Sequence, residues 1–219
     1  MAKKRQRTLE VPKYIKASAK TLSFISDKWA TTFAFRLFTN PMKFPLPERE
    51  KPMDTFSLKI PFFLPHAQKD IVIYESGSGS KKALIIHGWN GRGTQLFAIV
   101  KKLVKQDYTV ISFDAPGHGK SSKNSTHMID FIEAAFELEK KYGSFDVVVG
   151  HSLGGMTTIN AISRGLKAQK AVIIGSGNRI DDIISDFVKS IGLPERINTT
   201  LKNHFEKKLD NKIENYNVY

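Results

Sequence analysis

The chain has 219 residues and an apolar fraction of 41%, enough for one sizeable core with an appendage. It has no cysteine, which excludes a disulfide framework, a thiolate zinc site and a cysteine nucleophile and leaves oxygen and nitrogen as nucleophiles. The formal charge of +13 would suit a polyanion, but residues 1–52 hold twelve Lys or Arg against four Asp or Glu and leave only +5 for the rest, and no interleaved aromatic and basic pattern or zinc-finger spacing accompanies them, so nucleic acid is not an expected partner.

At the N-terminus Lys3, Lys4, Arg5 and Arg7 are followed by no apolar stretch with a small-residue cleavage site. No apolar run reaches the ~18 residues of a membrane span, so a cytoplasmic location is expected. From Val11 to Phe38, Ile15, Leu22, Ile25, Trp29, Phe33 and Leu37 recur near helical spacing, with Lys13, Lys16, Lys20 and Lys28 among them. This predicts one or two amphipathic helices. Their apolar face is expected to pack on the main domain or on a second copy of the chain, or to lie on an anionic membrane surface. Pro41, Pro45, Pro47 and Pro52 then predict an extended linker, so residues 1–52 read as a basic helical extension.

From Met53 the pattern changes to strands separated by turns. Thr55 to Leu64 and Asp70 to Glu75 read as an antiparallel hairpin at a sheet edge. Ala83 to Ile86, Tyr108 to Phe113, Val147 to Val149 and Lys170 to Ile174 read as further strands. Helices are expected at about 95–105, 126–142 and 155–165. Strands alternating with helices of this length predict an α/β fold, a mostly parallel sheet with helices on both faces, over residues 53–177. Loops gather at the carboxyl ends of such strands, which puts Trp89, Asp114, Ser152 and Gly175 along one rim.

The rim carries the chemistry. Val147-Val148-Val149 runs into Gly150-His151-Ser152-Leu153-Gly154-Gly155, a Gly-x-Ser-x-Gly pattern between a buried strand and a helix. Small residues on either side of a serine relieve a sharp strand-to-helix turn. Gly155 at the start of a helix would also suit a phosphate, but neither Gly-x-x-x-x-Gly-Lys-Ser/Thr nor Gly-x-Gly-x-x-Gly is present, and nucleotide binding is a poor alternative.

With His87-Gly88-Trp89 and Asp114-Ala115-Pro116-Gly117-His118-Gly119-Lys120-Ser121 in the expected order, the chain resembles the α/β-hydrolase superfamily, in particular its small bacterial esterase-like members, over about residues 55 to 177. The resemblance implies a serine hydrolase acting on carboxylic esters, with Ser152 as nucleophile and the backbone N–H groups of Leu153 and Trp89 as oxyanion hole. It implies no cofactor and no metal. His87 and Gly88 are expected to shape the oxyanion loop and Asp114 to anchor the turn behind the elbow; His118 and Gly119 lie within that turn. His151 is the variable residue beside the nucleophile.

The fold orders its triad as nucleophile, acid, histidine, with the histidine after the final strand. After Gly177 the sequence reads as two helices, Arg179 to Ile191 and Thr200 to Leu209, similar to a helical cap over 178–219. The last two strands, with the acid and base, are expected to be missing, as in a partial chain. Asp181, Asp182 and His204 are the local substitutes. Two other readings stand beside ester hydrolysis: a non-catalytic binding protein on a hydrolase scaffold, and an acyltransferase or peptidase at the same serine. Acyl group, alcohol group and oligomeric state are not legible in the sequence.

Overall fold

The computed structural model describes residues 11–122 and 125–218, which group into two compact units: residues 39–178 with 216–218, and residues 11–38 with 179–215. The expected division ran differently, with 1–52 as one extension and 178–219 as a separate cap-like segment.

In the first unit a six-stranded sheet has the order β1-β2-β4-β3-β5-β6. Its strands are β1 Leu58–Leu64, β2 Lys69–Ser76, β3 Lys81–Ile86, β4 Tyr108–Asp114, β5 Phe145–His151 and β6 Ala168–Ile174. β1 and β2 form the antiparallel hairpin expected at the edge, and β2 joins β4 antiparallel. β4, β3, β5 and β6 run parallel, so the mostly parallel sheet is as the sequence implied. β3 and β5 pair through Ala83 to Ile86 against Val147 to Gly150, an almost wholly apolar register. That composition suits strands covered on both faces. β6 is the edge among the described residues, with Val172 and Ile173 exposed.

The helices of this unit follow the strands. The helix α3 Lys51–Phe56 precedes β1, α4 Phe97–Val104 follows β3, α5 Met128–Tyr142 follows β4, and α6 Leu153–Ser163 follows β5. α3 corrects the reading of an unbroken extended linker: Pro52 sits in its first turn, where a missing N–H costs nothing. Near the C-terminus Asn160 Nδ2 of α6 donates to the Tyr216 carbonyl at 2.9 Å, and the Val218 amide donates to the Asn178 carbonyl at 2.8 Å.

The second unit is helical: α1 Lys13–Ile25, α2 Asp27–Thr39, α7 Ile180–Ser190 and α8 Arg196–Leu209. Ala19, Ala30, Ala34, Ile184, Ile197 and Leu201 form its buried centre, with Phe38 edge-on to Phe187 at 4.9 Å between ring centroids. Ile15, Leu22 and Phe33 of the apolar stripe are therefore covered by the two helices that follow β6, whereas Ile25 and Trp29, expected on the same face, are exposed. No helix among the described residues is long and apolar enough to cross a membrane.

Candidate active site

β5 delivers Ser152 to the rim at φ 53°, ψ −118°, a positive-φ conformation uncommon for a residue with a side chain. Such strain costs about 1–3 kcal/mol and persists only where surrounding contacts fix it. Here the Ser152 amide donates to the Ile174 carbonyl at 2.9 Å, and the Ser152 carbonyl accepts from Gly155 at 2.8 Å. The glycines are needed because backbones meet. A Cβ on Gly150 would lie 2.2 Å from the Gly154 carbonyl oxygen, and one on Gly154 would lie 2.2 Å from the Ile86 carbonyl oxygen. The first turn of α6 thus sits directly on the ends of β5 and β3, and the Leu153 amide is the first at its N-terminus. An intrahelical acceptor is missing for such amides.

The loop after β3 closes over the same point. A Cβ on Gly88 would stand 3.0 Å from the Ser152 Cβ and 3.1 Å from His151 Nδ1. A side chain here would force the elbow to give by a few tenths of an ångström. Its shape is set by hydrogen bonds: Gly91 donates to the Gly88 carbonyl at 2.9 Å, and the Gly88 amide donates to Gln95 Oε1 at 3.2 Å. Trp89 follows Gly88 and stands edge-on to the His118 ring at 5.3 Å.

His87 is buried and performs the shaping expected of it. The Ala115 amide donates to His87 Nε2 at 3.1 Å, so the other nitrogen carries the proton and donates to the Gly88 carbonyl at 2.7 Å. Burial, with His118 close by, holds its pKa well below the usual histidine value. A neutral ring with both nitrogens engaged ties the loop after β3 to the loop after β4.

Asp114 anchors the second loop. Its carboxylate accepts from the Gly93 amide at 2.6 Å, the Lys120 amide at 2.7 Å and the Tyr74 hydroxyl at 2.9 Å. Burial pushes its pKa up against these three donors. Gly119, at φ 45°, leaves the space the carboxylate fills. His118 is buried beside Phe131, its Nδ1 near the Pro116 carbonyl at 3.0 Å and its Nε2 without a partner; burial lowers its pKa to about 4.

The site also has a strap that sequence reasoning missed. Residues 42–50, read as linker, bind the loop after β3: the Met42 amide donates to Asn90 Oδ1 at 2.8 Å, Arg92 Nη1 to the Pro45 carbonyl at 2.9 Å, and Thr94 Oγ1 to buried Glu50 at 2.8 Å. A buried glutamate in a Pro-rich, charged stretch leaves no periodic signal, and its partner lies 44 residues on.

Ser152 is half-buried, and its hydroxyl has no hydrogen-bond partner among the described residues. The local substitutes for acid and base belong to the helical unit and are engaged there. Asp181 pairs with Lys202 at 3.0 Å, Asp182 lies 3.9 Å from Arg179, and the His204 ring stands edge-on to Phe35 at 4.6 Å. Among the described residues no three His, Asp or Glu side chains converge as metal ligands.

A family model described as alpha/beta hydrolase fold matches residues 84–208, more than half of the chain and every loop described above. The chain belongs to the α/β-hydrolase fold family. Among solved structures, an esterase from Pyrococcus furiosus is similar at 19% identity and a TM-score of 0.58, over 81% of this chain and 71% of that one. The N-acyl homoserine lactonase AidH, complexed with N-hexanoyl homoserine, is similar at 25% identity and a TM-score of 0.50, over 59% of this chain and 49% of that one. A bromoperoxidase from Bacillus anthracis shows 27% identity and a TM-score of 0.49, over 54% and 45%. This α/β-hydrolase-fold chain thus spans less than half the length of the lactonase and the bromoperoxidase. No curated protein matches it in sequence.

Proposed function

We propose that this α/β-hydrolase-fold chain carries the nucleophile and oxyanion half of a serine hydrolase that cleaves carboxylic esters through an acyl-enzyme. The observation that carries the reading is Ser152 at φ 53° on the β5–α6 turn, with Gly88 packed against its Cβ. The turn holds half-buried Ser152 at the end of β5, and the approach of Gly88 brings the loop bearing Trp89 to the same place. Ser152 Oγ attacks the ester carbonyl carbon. The carbonyl π electrons move onto oxygen, and the Leu153 and Trp89 amides receive the resulting oxyanion. The Leu153 amide adds the positive end of the α6 dipole. Collapse expels the alkoxide, which takes, by way of a base, the proton that Ser152 Oγ gave up on attack and leaves as alcohol; water then attacks the acyl-serine, its proton passing by the same base to Oγ, releasing the acid and restoring the hydroxyl.

A serine hydroxyl needs a base to lose its proton. His87 does not fit that role, since both ring nitrogens are engaged in holding loops and its pKa is held low. His151 adjoins the nucleophile, but its Nδ1 is buried against Gly88. The chain's own residues therefore supply nucleophile and oxyanion donors. The lactonase similarity supports an ester-type carbonyl as the substrate class, a lactone being a cyclic ester.

Fluorophosphonate labelling of the purified chain, with imidazole added as an external base, tests the reading. Wild type should form a covalent adduct at Ser152, found by peptide mass, and Ser152→Ala should form none. A folded wild type with no Ser152-dependent adduct overturns it and leaves a non-catalytic binding protein on the hydrolase scaffold. Ester turnover against amide turnover and acyl transfer to an added alcohol separates the ester reading from the peptidase and acyltransferase ones.

A further inference from the structure

The inner side of α1 is accounted for: Ile15, Ala19, Leu22 and Ser23 face the buried centre of the helical unit. The outer side is not. At 100° per residue, Lys13, Ala17, Lys20 and Phe24 form one outward stripe, and Tyr14, Ser18, Thr21 and Ile25 form the next. All eight residues are exposed. Phe24 is 90% exposed, Tyr14 72% and Ile25 62%. α1 ends at Ser26, whose extended backbone (φ −163°, ψ 126°) turns the chain into α2, where Lys28 and Trp29 are exposed. A cluster of aromatic and aliphatic side chains at one helix-to-helix elbow is thus left in water, ringed by lysines.

The charges decide what covers it. α1 contains no acidic residue, and among the described residues the ammonium groups of Lys13, Lys16, Lys20 and Lys28 have no carboxylate within ion-pair distance. The nearby acid, Asp27, is held by both oxygens on Arg196 Nε, at 3.0 and 3.1 Å. A second copy of the chain docking through this face would bring lysine against lysine. A groove of about 480 Å³ beside it, lined by Lys20, Phe24, Leu193 and Arg196, is likewise basic and apolar.

We propose that the α1–α2 elbow is a docking surface for anionic phospholipid bilayers. Phe24, Ile25, Tyr14 and Trp29 enter the interfacial layer, where amphipathic aromatic rings are favoured. Lys13, Lys16, Lys20 and Lys28 meet the headgroup phosphates, and each basic residue near a negatively charged leaflet adds to the attraction. α1 lies flat on the surface and does not span it, which accords with its 13 residues.

Co-sedimentation of the full chain with vesicles tests this. Wild type should bind phosphatidylcholine–phosphatidylglycerol vesicles and leave phosphatidylcholine vesicles unbound, with binding falling as salt rises. Replacing Lys13, Lys16 and Lys20 together by Gln should weaken partitioning about a hundredfold. Phe24→Ser with Ile25→Ser should weaken it about tenfold or more. As a charge-matched control, Gln at Lys101, Lys102 and Lys105, exposed on and just after α4, should change it less than about threefold. Circular dichroism should be unaltered throughout, since every replaced side chain is exposed. Absence of binding, or equal loss in the control, overturns the proposal. So does a wild-type dimer that the Phe24 and Ile25 changes dissociate, or binding of an RNA oligomer in preference to vesicles.

Discussion

In the sheet unit the loops at the strand ends are fixed by buried polar groups, with Asp114 holding three donors and His87 bridging two loops, whereas in the helical unit the buried contacts are mostly apolar, the Thr31–Thr200 hydroxyl pair apart, and the ion pairs lie nearer the surface. The difference follows from what each must hold. Loops at a sheet rim cannot satisfy their own backbone groups, so each needs a partner that reaches it. Helices satisfy theirs internally and need only a covered face. The sheet unit is therefore sensitive to single polar atoms, and the helical unit to volume.

The largest break in that comparison is expected at Asp114. Asp114→Ala leaves the Gly93 amide, the Lys120 amide and the Tyr74 hydroxyl without their acceptor in a buried space. At ~1–3 kcal/mol for each orphaned group, the loss is on the order of 4 kcal/mol. Asp114→Asn keeps one acceptor oxygen and should lose about half as much. Urea unfolding midpoints read both, and a loss below about 1 kcal/mol for the alanine variant would show that the network is not what fixes the rim.

That network also marks how far the sequence could be read. Gly150, Ser152 and Gly154 were legible because the elbow demands small residues at fixed spacing, and the structure shows the backbone contacts that impose the demand. Asp114 was legible as an anchor from its place before a tight turn. Its partners were not: Tyr74 and Gly93 lie 40 and 21 residues away along the chain, and no local pattern announces them. The strap through Glu50 escaped for the same reason. In the helical unit, periodicity placed Ile15, Leu22 and Phe33 on a covered face but counted exposed Ile25 and Trp29 with them, and it gave no sign of the cover, because α7 and α8 come about 140 residues later. A one-dimensional pattern gives a face and leaves its partner open.

A second test uses acid. His118 titrates at about 4 in the folded chain, against 6.5 ordinarily, because burial disfavours its charged form. Below pH 6.5 the unfolded chain takes up a proton that the folded chain refuses until about pH 4. Stability is therefore lost as pH falls through that window, by about 3 kcal/mol from this residue. His87, also lowered by burial, acts in the same direction. Asp114 opposes them: its raised pKa means the folded chain keeps a proton the unfolded chain releases, so the stability it contributes declines as pH rises from the ordinary 3.8. Urea midpoints at successive pH values should fall from neutral pH downward, and His118→Gln should flatten the slope. An unchanged slope would place the acid sensitivity elsewhere than at the rim.

The smallest effect is expected outside the helical unit's core. Asp27 and Arg196 form a two-oxygen pair, but their side chains are 45% and 56% exposed. Water already solvates both partners well, so the pair adds little to stability, and Asp27→Asn should cost below about 1 kcal/mol. Arg196 keeps the Ser23 carbonyl at 3.1 Å in either case. The charge balance of the face changes more than its stability does, since the only acid in α1 and α2 is removed and the Arg196 guanidinium is freed. Binding to anionic vesicles should rise about fivefold with no matching shift in the urea midpoint. A stability loss as large as that of Asp114→Ala would mean that this exposed pair, and not apolar packing, holds the helices together.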